Sequence, residues 1–343
     1  MRAVVMRNSA LVVDTVPDPE PGPGEAIVKT LACGICGSDL HALKFADRVV
    51  DVARETEAPF TMDPTRDVVM GHEFCVEVLD YGPGTEGPVR PGGRAVSMPL
   101  VFRPSGIHGV GYSNEIPGGY GERMVLSASL LLEVPNGLAT EHAALTEPMA
   151  VGLHAVEKAR LDPGDAAMVF GCGPVGLAVI AALRLKSVEP IVAGDYSPMR
   201  RELARRLGAH VVVDPKARRM IDAYREAADL RPAAVFECVG VPGVLADVMR
   251  QAPRGAKVVV AGVCMEDDAI RPMIGINKEL SLQFVLGYTP LEFADTLVAI
   301  ADGRIDVSPL VTGKVGVEGV AGAFNELGRP ERHAKILVEP WRA

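Results

Sequence analysis

The sequence predicts an α/β protein built on a Rossmann-type, doubly wound parallel sheet, joined to a second domain that is rich in β-strands. Three observations carry this. A G-x-G-x-x-G turn (Gly171, Gly173 and Gly176, with Cys172, Pro174 and Val175 between them) follows the apolar run Ala167–Phe170 and opens an apolar helical segment, 177–185. A second apolar run, 190–194, ends at Asp195, 19 residues after Gly176. Beyond it, apolar runs and amphipathic segments alternate to about residue 288, the pattern of a parallel sheet covered by helices on both faces. At 343 residues the chain also exceeds the usual single-domain size.

Each part of the fingerprint has a physical task. The first glycine permits a tight turn, the second lets a pyrophosphate approach the backbone, and the third packs helix against strand. The helix N-terminus offers free N–H groups and partial positive charge to that anion. A carboxylate at Asp195 accepts hydrogen bonds from an adenosine ribose and repels a 2′-phosphate, which favours NAD over NADP. Residues 166–183 carry no charge and rival this reading as a short membrane span. Three glycines and Pro174 interrupt them, and Asp162, Asp165, Arg184 and Lys186 flank them. Globular α/β accounts for all of this.

Composition excludes other classes. Hydrophobic residues make up 48% and charged residues 23%, an ordinary globular balance. The net charge of −9, with no basic run, argues against nucleic acid and anionic membrane as partners. The first residues break their apolar run at Arg7 and Asn8, unlike a signal peptide. Six dispersed cysteines then read as reduced thiols in a cytoplasm.

Along the chain, residues 1–32 hold three strand-like runs and a proline-glycine turn region. Cys33-Gly-Ile-Cys36-Gly-Ser38-Asp39-Leu-His41 follows. No second C-x-x-C and no thioredoxin-like pattern accompanies it, so a redox pair or a local zinc site is disfavoured and a single ligating cysteine stays open. Residues 42–69 suggest a surface helix with a stripe at Val49, Val50 and Ala53, then a loop. Gly71-His72-Glu73 turns into an alternating strand, and a lone His-Glu is more often a turn than a metal site. Residues 99–121 read as a long irregular loop, of the kind that is usually functional. The helical stretch 140–160 contains Glu147-Pro148, where proline must end one helix and begin another. In the second half, Ser197 reads as an N-cap with Pro198 at the first helical position. The last fifty residues give one helix and one terminal strand that return to the first domain.

In order, CGICGSD with His41, GHE at 71–73, PGGRAV, GGYGER, EPMAVGLHAV and FGCGPVGL resemble the medium-chain zinc-containing alcohol dehydrogenases over essentially the whole chain. The resemblance implies a GroES-like β-barrel catalytic domain, 1–151 with 288–343, a Rossmann domain, 152–287, and a cleft between them. It implies Zn²⁺ on Cys36, His72 and Glu147, with Glu73 as an acid that in some relatives binds or swaps onto the metal. A thiolate, an imidazole and a carboxylate with one open position suit a catalytic zinc. Asp39 matches the carboxylate that orients the zinc histidine. The family's structural zinc needs four close cysteines after PGGRAV, and none lies between Cys75 and Cys172, so one zinc per chain is expected.

The resemblance further implies oxidation of an alcohol to an aldehyde or ketone, with hydride transfer to NAD. Ser38 takes the substrate proton, and His41 passes it to solvent through the cofactor ribose. Gly37 stands where some relatives place a basic residue on the pyrophosphate, so Lys335 or Arg200 is expected to replace that contact. A polyol, sugar or amino-alcohol branch fits the paired glutamates and single zinc. A zinc-free reductase on the same fold lacks the ligands found here, and a non-catalytic sensor has no use for the Ser38–His41 relay. The partners expected are a small alcohol or carbonyl substrate and other copies of the chain, as a homodimer or homotetramer.

Overall fold

The structure is a computed structural model that describes residues 1–343 except 59, 60, 136, 230–232, 330 and 343. Strands β1 (Arg2–Arg7), β2 (Ala10–Thr15) and β3 (Glu25–Gly34) open the chain, followed by helices α1 (Gly37–Lys44) and α2 (Ala46–Glu55). Then come β4 (Val68–Val69), β5 (Glu73–Tyr81), β6 (Arg94–Ser97), β7 (Leu100–Arg103), β8 (Gly106–Gly109), β9 (Arg123–Ser127) and β10 (Leu131–Glu133). Helices α3 (Thr140–Ala143) and α4 (Thr146–Ala159) lead into an alternation. Its elements are β11 (Ala166–Phe170), α5 (Pro174–Leu185), β12 (Ile191–Gly194), α6 (Pro198–Arg206), β13 (Val211–Val213) and α7 (Met220–Ala228). It continues through β14 (Ala233–Glu237), α8 (Val244–Gln251), β15 (Lys257–Val260), α9 (Pro272–Lys278) and β16 (Ser281–Phe284). The chain closes with α10 (Pro290–Ala301), β17 (Val311–Val315), α11 (Val320–Leu327) and β18 (Lys335–Val338).

These elements form two compact units. The first holds Met1–Glu147, Val311–Arg329 and Lys335–Ala343, and the second holds Pro148–Leu310 and Pro330–Ala334. The crossing expected at residue 288 thus falls at Val311. Helix α10 stays in the second unit because it buries Phe293, Leu297 and Ile300, and because Glu292 at its start bonds His154 of α4 at 2.8 Å.

In the second unit one sheet runs β13-β12-β11-β14-β15-β16, every neighbouring pair parallel. Counted within the sheet this is the order 3-2-1-4-5-6, which reverses direction between β11 and β14. Strands β11, β12 and β14 are buried throughout, which is why they read as unbroken apolar runs. Ser197 caps α6 by accepting the Arg200 N–H, with Pro198 in the first turn.

In the first unit the main sheet runs β10-β6-β5-β3-β18-β17, with β9 also paired to β3, beside a β2-β1-β4 sheet and a β7-β8 hairpin. Strand β18 lies antiparallel to β3 through Leu337–Gly34 and Val338–Cys33, so the end of the chain borders the strand that delivers Cys36. The C-terminal region holds more than the expected helix and strand. Strand β17 is half-buried along its whole length, and its VTGKV sequence lacks the apolar alternation that would have revealed it. The expected irregular loop 99–121 contains the β7-β8 hairpin, pinned by Arg103 on the buried Glu25 carboxylate (2.7 Å) and by the Phe102 N–H on Ser127 Oγ (2.8 Å). Among the described residues no helix is long and apolar enough to cross a membrane.

The Glu292–His154 contact yields a pH-dependent stability. Burial pushes the Glu292 carboxyl up, but the Thr289 N–H and His154 outweigh it and hold it below its usual range. A lowered carboxyl stabilises the fold fully above the ordinary carboxylate pKa of about 4.3, and the contribution disappears as pH falls through the folded value. Glu292→Gln is expected to cost about 1 kcal/mol at pH 7, roughly 2–4 °C in melting temperature. Thermal scans from pH 7 to pH 3 should show that difference closing; a constant gap would mean that charge plays no part.

Candidate functional site

Strand β3 ends at Gly34, and Cys36 is the N-cap of α1. Asp39, at the third helical position, reaches back so that its Oδ2 accepts the Cys36 N–H at 2.9 Å. The same oxygen accepts the Tyr120 hydroxyl at 2.7 Å, while Tyr112 Oη and His72 Nδ1 each lie 3.3 Å from Oδ1. His72 Nδ1 makes no well-aligned hydrogen bond at that distance. Asp39 has no solvent exposure. Burial would push its carboxyl up, but His72, Tyr120 and the Cys36 N–H hold it below the usual range. Burial pushes the His72 imidazole down, and Asp39 more than reverses that.

His72 follows Gly71, whose φ of +102° and lack of Cβ fit the turn against Tyr120 and Cys33, where a Cβ would approach within 2.7 Å of the Tyr120 ring. With Nδ1 turned to Asp39, His72 Nε2 faces Ser38 Oγ at 3.5 Å. Cys36, His72 and Glu73 each place one donor atom within 4.8 Å of the others. A thiol, an imidazole nitrogen and a buried carboxylate so converged fit a zinc-type cation.

Glu73 opens β5 opposite Gly34, and a Cβ on Gly34 would lie 2.0 Å from a Glu73 oxygen, so only glycine leaves room for the carboxylate. Both Glu73 oxygens lie 2.7 Å from Lys335 Nζ at the start of β18, and the same ammonium bonds Ile35 O at 3.1 Å. Lys335 is 3% exposed. This corrects the expectation that Lys335 meets a cofactor pyrophosphate, because its three protons are already directed at Glu73 and Ile35 inside the first unit. Glu147, buried in the first turn of α4, is close enough for its charge to act on Lys335 but lies outside the converged set.

Ser38 accepts the Tyr112 hydroxyl proton at 2.9 Å. Burial, then Asp39, pushes the Tyr112 phenol well above its ordinary range. His41 lies one helical turn beyond Ser38 and is half-buried, its Nδ1 without a partner among the described residues. Burial, then Lys44, pushes its imidazole down.

In the second unit Gly171 takes φ +91° at the end of β11, and a Cβ on Gly176 would lie 1.9 Å from Gly171 O. A Cβ on Gly173 would touch only Arg200, at 3.7 Å, so the middle of the turn is open to a ligand. Pro174 and Val175 begin α5. Asp195 leaves β12 with its carboxylate fixed by the Cys172 N–H (2.9 Å) and the Ser197 N–H (2.8 Å), and Arg200 Nη1 stands 4.0 Å away.

Tyr112, Tyr120, Gly34 and the Lys335–Glu73 pair were not legible in the sequence. Tyr120 lies inside the GGYGER motif, Gly34 inside CGICGSD and Glu73 inside GHE, but no motif says what these side chains touch; Tyr112 and Lys335 sit in segments with no local signal. Breaking the buried ion pair from one side leaves a charge unmatched. Lys335→Met is expected to destabilise the chain by about 3–5 kcal/mol, and Lys335→Met with Glu73→Gln to recover most of it. Denaturant titration checks this: equal losses in the single and double variants would mean that packing, not charge, is at stake.

Comparison with known proteins agrees with this geometry. Residues 22–136 match the alcohol dehydrogenase GroES-like domain, and residues 174–302 match the zinc-binding dehydrogenase domain. The chain is 33% identical to the (R,R)-butanediol dehydrogenase of Bacillus subtilis over 96% of each protein. It superposes on the crystal structure of a 2R,3R-butanediol dehydrogenase from Bacillus subtilis with a TM-score of 0.84, at 30% identity over 99% of each chain. Sorbitol dehydrogenase of the same organism is 26% identical over all of this chain and 98% of its own. A zinc-binding dehydrogenase from Sinorhizobium meliloti 1021, bound to NADP, superposes at 26% identity with a TM-score of 0.83 over 99% of each chain. With a parallel 3-2-1-4-5-6 sheet, a glycine turn at its first strand and a converged Cys-His-Glu set, the chain belongs to the medium-chain zinc-containing alcohol dehydrogenases.

Proposed function

We propose that this chain oxidises a secondary alcohol of a small diol or polyol to the ketone, with NAD as hydride acceptor and a single catalytic zinc. The convergence of Cys36, His72 and Glu73 around the Asp39 network carries this reading. Similarity to butanediol and sorbitol dehydrogenases favours a diol or polyol over ethanol-like or amino-alcohol substrates.

Cys36, His72 and Glu73 would hold the zinc, with Glu147 as the nearby alternative carboxylate. When bound there, zinc supplies a Lewis acid that lowers the pKa of an alcohol hydroxyl. Lys335 engages each Glu73 oxygen through one lone pair and leaves others for a cation. Asp39 Oδ1 faces His72 Nδ1, which leaves Nε2 as the nitrogen that would ligate the metal. Ser38 accepts the substrate proton, and His41, three residues on and so on the same helix face, hands it outward. Its lowered pKa keeps the imidazole neutral and able to accept near neutral pH.

In the second unit the glycine turn from Gly171 to Gly176, with Pro174 and Val175, receives the pyrophosphate at the start of α5, and Arg200 supplies positive charge beside Gly173. The fixed Asp195 carboxylate supports NAD over NADP. The cysteines are unpaired, as suits a reducing, cytoplasmic compartment.

Strand β16 is a sheet edge with exposed Phe284, followed by Leu286 at 90% exposure, and Met273 and Ile276 of α9 are exposed nearby in sequence. An unpaired edge with apolar side chains suits isologous pairing with a second copy, and this supports a homo-oligomer.

A screen of NAD and NADP reduction across vicinal diols, sugar alcohols and simple alcohols, with zinc analysis, tests the chemistry. About one zinc per chain and preference for diols or polyols with NAD are expected. Cys36→Ser should lose zinc and turnover while still binding NAD. Retained activity in Cys36→Ser would overturn the ligand assignment, and a clear NADP preference would overturn the role given to Asp195. Sedimentation tests the assembly: Phe284→Glu with Leu286→Glu should release monomers, and an unchanged mass would move the interface elsewhere.

A further inference from the structure

We infer that Tyr112 is a positioning residue for the proton acceptor, fixing the hydroxyl rotor of Ser38 and thereby the direction in which the substrate proton leaves. This rests on the reading of Ser38 as that acceptor. Tyr112 Oη donates at 2.9 Å to Ser38 Oγ and at 3.3 Å to Asp39 Oδ1, the serine contact being the shorter of the two. The phenol is held by packing rather than by solvent. Its ring stands against His72 with centroids 5.3 Å apart, and its backbone N–H is bound by Gly109 O at 3.2 Å.

A serine hydroxyl has one proton and two lone pairs. With one lone pair filled by Tyr112, the other accepts the substrate O–H, and the serine proton is left pointing away from both donors. The transfer then has one course. The alcohol O–H bond breaks as its proton reaches Ser38 Oγ, the serine's own O–H proton passes to His41, and Tyr112 keeps its proton throughout. Without the phenol, the rotor is free to turn its proton toward the substrate oxygen, an arrangement that blocks acceptance. The residue comes from the 99–121 segment, so that segment contributes to the chemistry as well as to the fold.

The test uses the zinc-loaded protein with a diol substrate and NAD, comparing Tyr112→Phe, Ser38→Ala and the double variant. Tyr112→Phe is expected to lower kcat about tenfold, the factor that accompanies one neutral hydrogen bond, with the KM for NAD unchanged. The solvent isotope effect on kcat should rise, because proton transfer becomes slower while hydride transfer does not. The double variant should be no slower than Ser38→Ala, since the phenol acts only through the serine. Zinc content and the absorption bands of the cobalt-substituted protein should match wild type. A further tenfold loss in the double variant, an unchanged solvent isotope effect, or altered cobalt bands would each overturn the proposal, the last by showing a structural role. Wild-type rates in Ser38→Ala would instead sink the reading of Ser38 itself, a result seen without any change at Tyr112.

Discussion

A carboxylate with no access to water must find its partners inside the protein, and the first unit is arranged around that requirement at Asp39. Its oxygens face a backbone N–H, two tyrosine hydroxyls and an imidazole, drawn from α1, the turn before β5 and the 99–121 segment. Each partner loses something if another moves. Cys36 is placed because Asp39 takes its N–H, His72 is oriented because Nδ1 turns to the same carboxylate, and Tyr112 links Asp39 to Ser38. A low local dielectric makes such a network valuable when complete and costly when one member is missing.

A second buried charge pair ties the end of the chain to this centre. Lys335 enters on β18, whose register against β3 is set by Leu337–Gly34 and Val338–Cys33, and its ammonium meets Glu73 opposite Gly34. The pair sets a glutamate beside the thiol and imidazole donors with a buried ammonium, rather than solvent, as its partner. The charge of Glu147 also acts on Lys335, so one buried ammonium answers two carboxylates.

The second unit is legible because its logic is local. Strand, glycine turn, helix, strand and acid follow one another within 30 residues, and each carries its reason in its own side chain or lack of one. The positive φ of Gly171 and the contact between Gly176 and Gly171 O are what the glycine spacing encodes. The apolar runs of β11, β12 and β14 are unbroken because both faces of that sheet are covered. Strand β17 escaped because Thr312, Gly313 and Lys314 interrupt its pattern, and the β7-β8 hairpin because glycines around it resemble loop composition. The return to the first unit was set too early because α10 has the same amphipathic character whichever unit it packs on.

The sequence by itself determined the parallel sheet, the nucleotide turn, the acid after β12 and the residue types able to hold a metal, since these depend on near neighbours and on chemistry written in the side chains. Motif order along the chain was enough to indicate the family. Only the tertiary structure decided that Lys335 serves Glu73 rather than a pyrophosphate, that Glu73 and not Glu147 joins Cys36 and His72 in the converged set, and that Tyr112 reaches Ser38. Those contacts join residues up to 262 positions apart. Their partners are chosen by strand register and by where burial leaves a charge in need of a counter-charge, neither of which a local stretch of sequence contains.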